Sequence, residues 1–301
     1  MAIAASPCPP RTTRGRRPTV VVRRRPRPRR AQRTPRVRAR AGWGGPRTPS
    51  RNLIRYLARW MSAPALSFVV PVYNEELVLE RSIPALCAHA QGLGGAFEIV
   101  CVDDGSTDRS AALLAEFAAR DARVRVERHP VNRGKGAAVR TGMLAARGEK
   151  VLFLDADLST PLEQTRALLD ALERHDVALG NRRMSGASIQ RRQPWLRQAL
   201  GKGFTLLTRV LLASPVTDFT CGFKAFRRDA AQRVFSRSAL DGWAFDAELV
   251  AIAHAQRLSI AQVPVRWHHE DDSKVRVLNA VLGSLRDLLV IAARRMSGRY
   301  R

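Results

Sequence analysis

The first 60 residues contain no acidic side chain, against 18 arginines. The formal net charge of +26 is therefore concentrated at one end, because the rest of the chain balances 34 basic against 26 acidic residues and keeps only +8. That remainder is ordinary for a protein working beside anionic lipid or phosphate. Residues 1–62, rich in Arg and Pro, can build neither an apolar core nor a regular helix, which predicts a disordered extension ahead of a single catalytic domain over 63–301. The stretch also lacks the continuous apolar segment of a secretory signal. It reads as a basic arm for nucleic acid or membrane, as an Arg-rich organelle transit peptide, or as a leader placed ahead of a true start at Met61.

Cysteine is scarce. Cys8, Cys87, Cys101 and Cys221 lie far apart with no CxxC spacing, which excludes a metal clip or a redox pair and fits a reducing compartment. Long apolar runs are missing too. Segments such as Leu206 to Ala213 and Leu288 to Ala293 fall far short of the roughly 20 residues a bilayer crossing needs, so no span is expected. There is no GxGxxG turn after the first apolar run, which counts against an NAD-linked dehydrogenase, and no GxxxxGK[ST] loop for a P-loop nucleotidase.

From Leu66 onward, short β-branched runs alternate with amphipathic stretches, the pattern of βαβ units and a mostly parallel sheet. It predicts strands at Leu66–Val72, Glu98–Val102, Val124–Arg128, Lys150–Leu154 and Asp176–Gly180, with helices between them. The helix after the fourth strand is marked by Thr160 as its cap, Pro161 at its first position and Glu163 closing a capping box. Ligands of such sheets bind beyond the carboxyl ends of the strands. Those ends are polar: Pro71 to Glu76 after the first strand, Asp103 to Asp108 after the second, Asp155-Ala-Asp157 after the fourth. Carboxylates converging on one edge repel one another unless a cation or hydrogen-bond donors offset them, so a metal is implied.

Asp155 and Asp157 offer hard oxygen ligands to Mg²⁺ or Mn²⁺ bridging a substrate diphosphate. Of Asp103 and Asp104, the second is better suited to accept hydrogen bonds from a nucleobase or ribose, while Asp108 suits a helix cap. Asn132 to Gly136 places two glycines around Lys135 at a helix start, where backbone N–H groups and one ammonium can face a ligand.

The order of Pro71-Val-Tyr-Asn-Glu-Glu76, Val102-Asp-Asp-Gly-Ser-Thr-Asp108, Asn132-Arg-Gly-Lys-Gly136 and Asp155-Ala-Asp157 resembles a family 2 glycosyltransferase of the GT-A fold, a Rossmann-like α/β sheet flanked by helices. Asp218-Phe-Thr-Cys-Gly-Phe-Lys224, Trp243-Ala-Phe-Asp-Ala-Glu-Leu249 and Trp267 through Ser273-Lys274 are similar to its dolichyl-phosphate glucosyltransferase branch. The resemblance covers Leu66 to about Arg295. It implies that Pro71, Tyr73, Glu75 and Asp104 line a uridine pocket, with Asn74, Asp103, Gly134 and Lys135 completing the nucleotide-sugar set. Asp155 would then contact the donor and Asp157 hold the metal. The family's eukaryotic members continue Asp-Ala-Asp as Gly-Ala-Thr, whereas this chain has Leu158 and Ser159, which leaves the donor sugar open.

A phosphate monoester acceptor is already largely ionised near neutral pH, with a second pKa of about 6, so no strong general base is required. Cations must hold that phosphate in line with the anomeric carbon. Arg182, with Arg191, Arg192 and Arg197, supplies candidates; Asp218 and Asp246 can orient the sugar or this arginine cluster, or serve as halves of buried ion pairs. Leu196, Leu200, Leu207 and Leu211, and again Leu278, Val281, Leu282, Leu285, Leu288, Leu289 and Ala292, follow helical spacing beside basic residues, which suits core packing and also a bilayer interface. The adjacent His268, His269, Glu270, Asp271 and Asp272 lack a recognised metal geometry. These readings together point to inverting transfer of glucose from UDP-glucose to a polyprenyl phosphate by a peripheral protein on the cytoplasmic face of a membrane. The alternatives are mannosyl transfer from GDP-mannose and, from another class, a basic nucleic-acid-binding protein. Carboxylates gathered at the strand ends argue against the last.

Overall fold

The computed structural model describes residues 63–189, 195–267 and 277–301. The predicted extension over 1–62, Arg191, Arg192 and the His268 to Asp272 cluster lie outside them. The chain alternates β1 (Leu66–Val72), α1 (Glu76–Gly92), β2 (Phe97–Asp103), α2 (Ser110–Arg120), β3 (Val124–Arg128), α3 (Lys135–Ala145) and β4 (Lys150–Leu154). A 3-10 turn at Leu162–Gln164 leads into α4 (Thr165–Ala171), β5 (Val177–Asn181), the short β6 (Ser188–Ile189) and α5 (Trp195–Leu212). Then come β7 (Phe223–Arg227), α6 (Arg228–Phe235), α7 (Phe245–Ala255), β8 (Ile260–Pro264), β9 (Arg266–Trp267) and α8 (Val277–Met296). The first, third and fourth expected strands match the observed bounds. The second is longer by one residue at each end, and the fifth is displaced by one.

Seven strands form one sheet in the order β3-β2-β1-β4-β7-β5-β8, while β6 and β9 pair separately. Every neighbouring pair in the large sheet is parallel except those of β7, which runs antiparallel to both β4 and β5. From β1 the chain winds outward to β3 and then returns to β4 on the other side of β1. The direction of winding therefore reverses between β1 and β4, and their carboxyl ends flank the crevice where such sheets take ligands.

Both faces of the sheet are covered, which is why β1 and β2 read as nearly continuous apolar runs. On one face Phe68, Val70, Ile99 and Leu152 pack on Leu79, Ile83 and Leu86 of α1. On the other, Val69, Val102, Val151, Phe153 and Phe226 pack on α3, α6 and α7. At Gly142 a Cβ would collide with the side chains of Val69 and Val102, so only glycine lets α3 lie this close to the sheet. Cys101 and Cys221 are core groups, their thiols pushed up to about 12, first by burial.

One local expectation is overturned. Thr160 and Glu163 do not form a capping box: the segment opens as a 3-10 turn behind Pro161 with no side-chain cap, and Thr160 is buried instead. On α5 the core-facing residues include Thr205, Thr208 and Leu212, whereas Leu207 is 38% exposed. Of the two uses that the leucine spacing allowed, core packing or a bilayer interface, Leu207 is thus not in the core, and buried Thr208 stands on the packed side in its stead.

Candidate active site

The crevice is built from three loops. After β1, Asn74 adopts φ 55°, a left-handed conformation asparagine tolerates. Its side-chain oxygen accepts the Thr107 N–H at 2.8 Å, and its own N–H donates to Ser106 Oγ at 3.0 Å. Asn74, assigned to the ligand by sequence, thus stitches the loops after β1 and β2 together. Arg109 holds the N-cap position of α2, and Asp108 just before it accepts the Ser110 N–H at 2.9 Å. Pro71 is half-buried and Tyr73, 43% exposed, stands at the rim, with Glu75 leading into α1.

Asp103 and Asp104 also hold backbone. Asp103, fully buried, accepts the Ser106 N–H at 2.9 Å and lies 3.0 Å from Arg128 Nε. Asp104, 2% exposed, accepts the Arg133 N–H at 3.0 Å, the Gly134 N–H at 2.8 Å, and contacts His129 Nδ1 at 2.6 Å. Gly136 N–H is taken by the Asp241 carbonyl at 2.8 Å. This corrects the expectation that the amides of Asn132 to Gly136 face a ligand: those of Arg133, Gly134 and Gly136 are satisfied from within the protein. Gly134 keeps its place for another reason, since it holds φ 104° and a Cβ there would strike the Asp241 carbonyl.

Lys135, at the start of α3, is what reaches the crevice. Its ammonium lies 2.5 Å from Asp155 Oδ1 and 5.5 Å from the centre of the Trp243 ring. Burial opposes its charge, but Asp155 and then Asp246 hold its pKa above the ordinary lysine value. Gly222 lies against the Asp155 carboxylate, where any Cβ would collide. Two residues on, Asp157 accepts the Ser159 N–H at 2.9 Å. Burial and then the Asp155 charge raise its pKa, against the Ser159 bond and Lys135. Between Asp157 and Ser159, Leu158 sits at φ 56°, a left-handed conformation costly for a leucine.

Further along the sheet edge, Arg182 follows β5. Its Nε and Nη2 grip the two oxygens of Asp218 at 2.8 and 2.9 Å, and Nη2 also donates to Thr220 Oγ1 at 2.9 Å. The guanidinium lies 5.4 Å from the Trp267 ring centre. The Asp218 side chain is 0% exposed and that of Arg182 17%. Burial pushes the Asp218 carboxyl up, but Arg182 outweighs it and holds it at about 2. With the folded pKa below an unfolded value near 3.9, the pair stabilises the fold fully above about pH 4 and loses that contribution as pH falls toward 2, by roughly 2 kcal/mol. In acid unfolding followed by circular dichroism, Asp218→Asn should flatten the decline in stability between about pH 4 and pH 2. An unchanged slope would show that other carboxylates carry it.

Asp246, in the first turn of α7, is bound by Lys224 Nζ at 2.5 Å. Arg197 falls on α5, whose side-chain environment is not described there. Sequence reading missed the role of four residues. Lys224 stood inside a quoted motif without a task, though a lysine between Phe223 and Ala225 in a strand signals a buried charge. Trp243 and Trp267 cover the two cations, and buried His129 ties Asp104 to Thr141 Oγ1 at 2.9 Å; nothing in their spacing marks those contacts.

The family model for glycosyl transferase family 2 matches residues 67–235, spanning all the parallel strands up to β5 and the antiparallel β7. The chain belongs to that family. It is a glycosyltransferase, similar at 35% identity over 255 residues to the human dolichyl-phosphate beta-glucosyltransferase, covering 78% of this chain and 77% of that protein. The Saccharomyces cerevisiae dolichyl-phosphate beta-glucosyltransferase is 31% identical over 255 residues, covering 78% and 76%. A dolichyl-phosphate beta-glucosyltransferase of Trichomonas vaginalis is 34% identical over 238 residues, covering 75% and 70%. The fold is shared with glucosyl-3-phosphoglycerate synthase from Mycobacterium tuberculosis, solved with Mn²⁺, UDP-glucose and phosphoglyceric acid, at a TM-score of 0.58 and 20% identity over 85% of this chain and 86% of that one. The sequence-based fold class, a mostly parallel GT-A sheet flanked by helices, therefore holds. Among the described residues no helix is long and apolar enough to cross a membrane.

Proposed function

We propose that this family 2 glycosyltransferase moves glucose from UDP-glucose to a polyprenyl phosphate of the dolichyl type, with inversion at the anomeric carbon. The observation that carries the substrate assignment is the similarity, at 31 to 35% identity over most of each chain, to dolichyl-phosphate beta-glucosyltransferases. The crevice suits it. Tyr73 and Pro71 offer a rim for the uracil, while Asp104, Asp103, Asn74 and Gly134 act on the nucleotide by holding the loops in shape. Lys135 stands beside Asp155 where a diphosphate would lie.

A divalent cation fits this donor set. Asp155 and Asp157 are neighbouring carboxylates whose mutual repulsion a cation relieves, and Asp155 is already occupied by Lys135, which leaves Asp157 as the protein ligand. Among the described residues no group of three or more metal-binding side chains exists, so the remaining ligands would come from the diphosphate and water, as suits Mg²⁺ or Mn²⁺. When bound, the metal carries the charge of the leaving diphosphate. Arg182, aimed by Asp218, holds the acceptor phosphate for in-line attack, and because that phosphate is ionised, no carboxylate is needed as a base. Purified protein given labelled UDP-glucose or GDP-mannose with short polyprenyl phosphate and Mg²⁺ should make a glucosyl lipid. Mannosyl lipid from GDP-mannose alone would sink the donor assignment.

The acceptor requires contact with a bilayer. α5 and α8 pack side by side, and each leaves an apolar row in solvent: Leu206 and Val210 at 63% and 70% exposed, Leu285 and Leu289 at 39% and 67%. Exposed Arg209, Arg286 and Arg295 accompany them, and a basic apolar surface of this kind suits the cytoplasmic face of an anionic membrane. Val210→Glu combined with Leu289→Glu should reduce sedimentation with phosphatidylserine vesicles by about tenfold, roughly 1.4 kcal/mol, without changing the melting temperature. Unaltered sedimentation would remove these helices from the interface.

A further inference from the structure

Lys224 is a buried cation to which the proposed reaction assigns no part. It is the second residue of β7, opposite Phe153 on β4 and Leu179 on β5, with its side chain 0% exposed. Its ammonium donates to Asp246 Oδ1 at 2.5 Å and to the Cys221 carbonyl at 2.6 Å, and lies 5.3 Å from the centre of the Phe153 ring. Taking such a pair out of water is costly, and apolar residues of similar volume commonly serve a fold as well. Stability alone is therefore a poor reason for this lysine.

The charges continue toward the crevice. The Asp246 side chain is 6% exposed, followed by Lys135 at 22% and Asp155 at 31%. Side-chain exposure thus rises with alternating charge in the order Lys224, Asp246, Lys135, Asp155, and the start of α3 lies against that of α7, where a Cβ on Gly136 would come within 2.7 Å of Phe245 Cβ. Asp246 has two cations within reach of its field: burial raises its carboxyl, and Lys224 and then Lys135 oppose that rise. Lys135 in turn is held by Asp155 first and Asp246 second.

We infer that Lys224 is a positioning residue for the donor diphosphate, neutralising Asp246 from inside the sheet so that Lys135 is left to serve the crevice. Without Lys224, Asp246 keeps Lys135 as its remaining cation and draws it inward, away from Asp155 and the phosphates. The inference rests on the nucleotide-sugar reading above.

Calorimetric titration of the full chain with UDP and Mg²⁺ tests it. Lys224→Met should weaken UDP binding by about tenfold, and adding Asp246→Asn to it should restore the affinity to within about threefold of wild type, because the charge that captured Lys135 is gone. In a Lys135→Met background, Lys224→Met should change UDP affinity by less than about twofold, as expected of a residue acting through another. A merely structural role would instead give the same loss in both backgrounds, in step with melting temperature. Should Lys224→Met not fold, Lys224→Met/Asp246→Asn is compared with Asp246→Asn: equal UDP affinity supports the inference and a further loss overturns it. Undiminished UDP binding by Lys224→Met also overturns it. A wild-type protein that binds no UDP fails before any substitution is made, and that result rejects the nucleotide-sugar reading and this inference with it.

Discussion

Asp157→Ala should abolish sugar transfer and leave the fold intact. The residue lies just past the carboxyl end of β4, half-buried, and its carboxylate accepts the Ser159 N–H, so truncating it removes one local hydrogen bond and no apolar side chain of the core. Its carboxyl is raised by burial and by the charge of Asp155, so removal relieves repulsion and stability should hold or rise slightly. With Asp157 as the proposed protein ligand of a divalent cation, its loss should lower turnover with UDP-glucose by about a thousandfold or more, roughly 4 kcal/mol in the transition state. Steady-state kinetics beside thermal melting decides the matter. Near-normal turnover with metal present would remove Asp157 from the metal site, and an unfolded variant would make it a structural group.

Arg182→Lys is the second substitution with a large expected effect. Arg182 Nε and Nη2 are spent on Asp218 and Thr220, which fixes the plane of the guanidinium and directs its remaining edge. A lysine keeps the charge and can still meet Asp218, so the buried carboxylate is not stranded, but it cannot grip Asp218 with two nitrogens and present a flat donor edge to a phosphate as well. The kcat/KM for polyprenyl phosphate should fall by about a hundredfold, roughly 2.7 kcal/mol, while UDP-glucose affinity changes little. Acceptor kinetics and donor calorimetry on one preparation separate the two. Unchanged acceptor kinetics would exclude Arg182 from the acceptor site, and a large loss of donor affinity would move it to the donor diphosphate.

What the sequence determined by itself is the parallel framework and the edge at which its polar loops gather. Nearly continuous apolar runs such as Leu66–Val72 and Lys150–Leu154 declare strands because burial on both faces demands apolar residues at almost every position, and polar loops directly after them must lie beyond the strand ends. The position of Asp155, Asp157 and Lys135 at that edge was legible for the same reason, since each sits within a few residues of an element boundary. Only the tertiary structure decided which polar groups those loops spend on themselves. Asp103, Asp104 and Asn74 have the composition of ligand-binding residues, yet their partners are backbone amides up to 34 positions away, and such pairings leave no mark on local spacing. The same holds for Lys224, which meets Asp246 across 22 residues because β7 enters the sheet antiparallel between β4 and β5. Local sequence sets what a segment can become, whereas the satisfaction of buried charge and hydrogen bonds is a sum over neighbours that only the folded chain brings together.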